Sequence, residues 1–97
     1  MKVFLSHKMD GLTRDEVMSI RAKALIYLTS KYGEIDLIDN YHHYNVPDDA
    51  GRLWHLGTSI TQIEEADAVY FCDGYTDSNG CQVEKLVCEL YNVKVLK

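Results

Sequence analysis

The sequence predicts an α/β fold: a four-stranded parallel sheet between helices, a Rossmann- or flavodoxin-like three-layer sandwich with strand order 2-1-3-4. Three observations predict it. Short apolar runs alternate with amphipathic helical stretches in the order βαβαβαβ, and such alternation builds a parallel sheet with right-handed crossovers. The run Ala68–Cys72 is apolar throughout, as a central strand covered on both faces requires. The chain has 97 residues, 46% hydrophobic and 26% charged, which is the size and make-up of one globular domain. Residues 1–97 are therefore read as a single domain without repeat or linker.

Val3-Phe4-Leu5 is the first buried strand, and Ser6–Leu12 is a loop turned by Asp10-Gly11. Thr13 with Glu16 three residues later makes a capping box. Val17, Ile20, Ala24 and Leu28 then recur at helical spacing, and Gly33 ends the helix. Ile35, Leu37 and Ile38 form the second strand, which stops at Asp39-Asn40. After the polar, aromatic-rich loop Tyr41–Asp49, a second helix is expected from Asp48 or Asp49, with Leu53, Leu56, Ile60 and Ile63 inward. Ala68–Cys72 is the third strand and Asp73–Asn79 a loop. A third helix follows over Gly80–Tyr91 with Val83, Leu86, Val87 and Leu90 inward, and Val93–Leu96 is the last strand.

Charge and cysteine usage narrow the function. Ten Lys and Arg against fifteen Asp and Glu give a net charge of −5, which argues against a nucleic-acid polymer as partner, since that footprint needs clustered cations. Cys72, Cys81 and Cys88 are odd in number and form no C-x-x-C. They predict reduced thiols in a cytoplasmic protein rather than a disulfide framework or a zinc site. No apolar run approaches the roughly 18–20 residues of a membrane span. The opening Met1–Ser6 is too short for a signal peptide's apolar region and reads as a strand. No cofactor and no metal are expected.

In an open parallel sheet, ligands bind beyond the carboxyl ends of the strands, where the strand order reverses. With order 2-1-3-4 that point lies between the first and third strands. It nominates two loops, Ser6–Gly11 and Asp73–Cys81. In the second, Ser78-Asn79-Gly80 runs straight into a helix, whose free N–H groups and positive end suit an anion. Cys81, Glu84 and Cys88 are spaced to share one face of that helix, so the Glu84 carboxylate can look toward a ligand. A capping Ser and an acid near the helix start are also routine structural devices. Ser6, His7 and Lys8 offer a hydroxyl, an imidazole and an ammonium on the opposite side.

At these two loops the sequence resembles the nucleoside 2-deoxyribosyltransferase-like superfamily, which includes 2′-deoxynucleoside 5′-phosphate N-hydrolases and small phage and bacterial relatives. The resemblance spans nearly the whole chain. Val3-Phe4-Leu5-Ser6-His7-Lys8-Met9-Asp10-Gly11 is similar to an opening of the type I-Y-I-S-G-P-M-T-G. Ala66-Asp67-Ala68-Val69 is similar to the A-D-x-V that leads into the third strand, and Ser78-x-Gly80-x-x-x-Glu84 to S/D-x-G-x-x-x-E. The resemblance implies an N-glycosidase or 2-deoxyribosyltransferase acting on a nucleoside or nucleotide, with Glu84 as nucleophile. It implies that Ser78, Asn79 and Gly80 hold sugar or phosphate, with Ser6, His7, Lys8, Gly11 and Gly74 lining the substrate; Asp73, Asp10 or His7 could supply a proton as a substitute acid, and Asp73 could instead bind a sugar hydroxyl. It also implies a homodimer or larger homo-oligomer. The same pocket without turnover would be a nucleotide-binding protein.

Three positions depart from the family pattern. Phe4 replaces a Tyr whose hydroxyl holds the nucleophile. Ser59 stands where the family has an Asp that takes part in proton transfer to the leaving base. His7 replaces a small glycine. The helix-start positive potential is expected to keep Glu84 ionised.

Further residues stand out. Tyr41-His42-His43-Tyr44, with His55 a helix later, lacks the spacing of a metal site and reads as aromatic anchoring or base stacking. Arg52 suits either a phosphate or a salt bridge to Asp48 or Asp49. Trp54 is out of step with its helix's apolar stripe and suggests a subunit interface.

Overall fold

The computed structural model describes residues 1–97. Its elements are β1 (Lys2–Ser6), α1 (Arg14–Tyr32), β2 (Asp36–Leu37), α2 (Arg52–Glu65), β3 (Ala68–Phe71), a single 3-10 turn (Tyr75–Asp77), α3 (Asn79–Leu90) and β4 (Val95–Leu96). The four strands form one parallel sheet in the order β2-β1-β3-β4. Val3 lies beside Leu37 on one side and Ala68 on the other, and Ser6 pairs with Phe71 at the carboxyl edge. No helix is long and apolar enough to cross a membrane.

Alternation along the strands divides the core into two layers. Val3, Leu5, Ala68, Cys72 and Leu96 meet Ala24 and Leu28 of α1 on one face. Phe4 and Val69 meet Ile63 of α2 and Cys88 of α3 on the other. The capping box forms as its sequence requires: Glu16 N–H donates to Thr13 Oγ1 at 3.1 Å and Thr13 N–H to the Glu16 carboxylate at 3.0 Å. At the far end Gly33 adopts φ +88, a backbone that other residues rarely take.

Two helices depart from the periodicity. α2 starts at Arg52 rather than Asp48 or Asp49, because those two acids sit in a turn closed by Ala50 N–H on the Pro47 carbonyl. Its inward residues are Ser59 and Ile63; Leu56 and Ile60 are half-buried, and Leu53 is 81% exposed. α3 buries Cys81, Glu84 and Cys88, while Val83, Leu86 and Leu90 face out and only Val87 is half-buried. The buried set lies one residue from the apolar set, a rotation of about 100°. A polar contact from Glu84 to β1 accompanies that rotation. It leaves Leu86 52% and Leu90 69% exposed.

Candidate active site

β1 ends at Ser6, beside β3 and under the start of α3. Ser6 Oγ donates to Glu84 Oε1 at 2.7 Å, and both residues are buried, Glu84 to 7% exposure. Ser6, expected to line the substrate, holds the Glu84 carboxylate instead and does not stand in the cleft wall. Burial pushes the Glu84 pKa up from the ordinary 4.5 to about 7, against a smaller downward pull from the Ser6 hydroxyl. The expectation that the helix start keeps Glu84 ionised is thus overturned. Loss of water outweighs the favourable dipole.

Ser78 caps α3, its Oγ accepting from Cys81 N–H at 3.3 Å. The N–H groups of Asn79 and Gly80 precede that bond, at the positions a helix start leaves open. A Cβ on Gly80 would meet only ordinary contacts, Ser78 Oγ at 3.8 Å and Leu56 at 3.9 Å. Nothing within the protein itself requires a glycine there.

Lys8, His7, Ser78, Asn79, Gly80 and Glu84 line one open cleft of about 870 Å³, together with Tyr41, His43, His55 and Ser59. His7 is buried, and Arg21 Nη1 lies 3.1 Å from its Nε2. Burial pushes its pKa down, and the Arg21 charge adds to that, against an upward pull from the Lys8 carbonyl. The neutral ring accepts from Arg21 through Nε2 and presents Nδ1–H to the Lys8 carbonyl at 3.3 Å. His7 thus anchors the first loop as well as lining the cleft.

Arg21 is the residue that sequence reasoning missed. Its guanidinium also donates to Asn40 Oδ1 at 2.7 Å and to the Ile38 carbonyl at 3.1 Å, and Asn40 Nδ2 donates to the Leu5 carbonyl at 2.8 Å. One cation ties α1 to the carboxyl ends of β1 and β2.

Besides Ser6, three predicted residues lie outside the lining of this cleft. Gly11 makes a turn at φ +78, and Gly74 makes another at φ +86 that starts the 3-10 turn. Asp73 follows Cys72, and both line a second groove with Tyr27 and Tyr70 on the α1 side of the sheet. The cleft that holds Glu84 is walled by other residues, so Asp73 does not stand in it as the expected substitute acid.

In the same cleft as Glu84, Ser59 Oγ is 3.4 Å from His43 Nε2, and His43 Nδ1 is 2.8 Å from His55 Nδ1. Trp54 is half-buried and packs edge-on against both imidazoles, with ring centroids 5.9 and 5.0 Å away. Arg52 lines the cleft and pairs with no carboxylate; His42 Nδ1 lies 3.3 Å from Asp39 Oδ1. No group of three or more metal-ligating side chains occurs.

No protein-family model, no curated protein and no solved structure matches this chain.

Proposed function

We propose that the chain cleaves the base–sugar bond of a nucleoside or nucleotide, as an N-glycosidase or 2-deoxyribosyltransferase of the superfamily it resembles. One observation carries the reading: a buried carboxylate, Glu84, is held by Ser6 at 2.7 Å in an open cleft of about 870 Å³, roomy enough for a nucleotide, at the switch point of the sheet and beside an open helix start. Breaking an N-glycosidic bond builds positive charge on the sugar's anomeric carbon. Ionised Glu84 attacks that carbon, the carbon–nitrogen bond breaks, and the sugar remains as an ester on Glu84. Water then attacks the ester and restores the carboxylate; a second base in place of water gives transfer. The Ser6 hydrogen bond fixes the attacking carboxylate, and the low-dielectric surroundings keep water from competing for it.

The substrate's sugar or phosphate is held by Ser78, Asn79 and Gly80, and Lys8 and Arg52 add positive charge at the cleft wall. A hydroxyl at position 78 suits a phosphate, where a carboxylate would repel it. The protein acts in the cytoplasm, where its three free cysteines stay reduced. It works as a homo-oligomer whose apolar strip Val83, Leu86 and Leu90, at the cleft's α3 side, is covered by a second copy.

The second reading is a nucleotide-binding protein without turnover. Ser59 favours it, because a hydroxyl at that position is no acid. Incubation with a panel of deoxynucleosides and their 5′-monophosphates, followed by chromatography for free base, tests the two. Released base supports catalysis. Ligand-induced thermal stabilisation with no base released from any member refutes it and supports binding alone.

A further inference from the structure

A departing nucleobase takes away an electron pair and leaves far more easily if a proton arrives with it. Neither Ser59 nor Asp73 brings one to the cleft. The side chains around Ser59 do. His43 comes from the loop after β2 and His55 from the first turn of α2, and their rings lie edge to edge, within 18° of coplanar, with centroids 5.0 Å apart. Their Nδ1 atoms are 2.8 Å apart. At that separation one proton lies between the two nitrogens, since two lone pairs or two N–H groups would repel. His43 Nε2 faces Ser59 Oγ at 3.4 Å.

A second, independent observation lies beneath this pair. Gln62 Oε1 is the one buried side-chain polar atom in the protein without a hydrogen-bond partner. Its amide orientation is set, because Nε2 donates to the Asp39 carbonyl at 3.1 Å. The oxygen stands beside His43 and favours its protonated form. A buried acceptor with no donor is costly to keep, and an N–H of His43 is a donor that would satisfy it, in the neutral or the protonated ring. His43, His55 and Ser59 line the same cleft as Glu84.

We infer that His43 and His55 are the acid–base pair of this cleft: with one proton always shared between their Nδ1 atoms, the pair takes up one further proton, becomes a cation, and delivers that proton to the leaving base while Glu84 takes the sugar. The inference rests on the glycosidase reading above. The steps balance. The Glu84 carboxylate forms a carbon–oxygen bond as the carbon–nitrogen bond breaks; the base accepts the freed electron pair and the proton from the pair. In the second step, water adds to the sugar carbon, the ester bond returns its electrons to Glu84, and the neutral pair takes the water's proton. Groups facing His43 pull both ways. Burial lowers its pKa most and the His55 charge lowers it further, while Gln62 and the Asp39 carboxylate raise it.

The test compares 2′-deoxyguanosine and its 5′-monophosphate with their N7-methylated counterparts, whose base already carries the positive charge and leaves without a proton. His55→Ala, at an exposed position, and His43→Ala are each expected to slow guanine release by about 100-fold or more while changing 7-methylguanine release by about threefold or less. Equal losses on both kinds of substrate would mean a merely structural role and overturn the inference, as would no loss on either. Imidazole NMR titration reads the pair without turnover. Uptake of one proton by the pair, with His43 titrating independently in His55→Ala, supports it; two independently titrating rings in the unaltered protein overturn it. If the unaltered protein frees neither base, the glycosidase reading falls and takes the catalytic role with it, whatever the titration shows.

Discussion

Replacing Glu84 with Gln should change how stability depends on pH. The unfolded chain carries an ordinary carboxyl at 4.5, and the folded chain holds the same proton up to about 7. Because the folded pKa is raised, its contribution is fully present below pH 4.5 and is lost as pH rises toward 7, beyond which both states are ionised. The gap is about 2.5 pH units at roughly 1.4 kcal/mol each, or about 3.5 kcal/mol in full, of which about 3 kcal/mol falls between pH 4 and pH 8. Gln keeps the shape and the acceptor for Ser6 but cannot titrate. The assay is urea unfolding of both proteins from pH 4 to pH 8, reading only their difference, so that groups common to both cancel. The variant should gain on the unaltered protein by about 3 kcal/mol across that range, a relative shift in Tm of roughly 10–20 °C for a domain of this size. A difference that stays constant with pH would mean that Glu84 is solvated and titrates normally, and the buried site would then be wrong.

Other outcomes follow from the same contacts. Ser6→Ala removes the hydroxyl that pulls the Glu84 pKa down, so base release, which needs ionised Glu84, should begin at higher pH in a pH–rate profile. Arg21→Met strips His7 Nε2, Asn40 Oδ1 and the Ile38 carbonyl of one shared donor; urea unfolding should show a loss of roughly 2–4 kcal/mol. Gly80→Ala meets no crowding inside the protein, so it should leave Tm nearly unchanged while weakening deoxynucleotide binding measured by calorimetry. Leu86→Glu, on the exposed strip of α3, should shift sedimentation toward monomer.

The strand order and the first helix were legible because local signals agreed. The Thr13–Glu16 box, the Val17–Leu28 spacing and the all-apolar third strand point to the same architecture. The inner face of α3 was not, because two signals competed. The apolar set Val83, Leu86 and Leu90 predicted one rotation, and the shared face of Cys81, Glu84 and Cys88 another. The second prevails with Ser6, 78 positions earlier in the chain, bonded to Glu84. The sequence gives no local sign of that distance being closed.

Arg21 was invisible for a similar reason. A cation on an amphipathic helix reads as a solvated residue until Asn40 and His7, 19 and 14 positions away, are brought to it. The pairing of His43 with His55 appears only when the Tyr41–Asp49 loop folds back on α2. Asp73 shows the opposite failure. Its motif position suggested the cleft, but it follows Cys72 of the α1-side core, and the chain crosses to α3 only after Gly74.

The most direct test of the account is to weigh the peptide that carries Glu84 after acid-quenched turnover. The substrate is a 2′-fluoro deoxynucleoside or its 5′-monophosphate, in which the fluorine slows the water step. The account predicts that this peptide gains the mass of one sugar or sugar-phosphate group, and that Glu84→Gln abolishes both the gain and base release. Base release with no added mass, or undiminished release from Glu84→Gln, would contradict it.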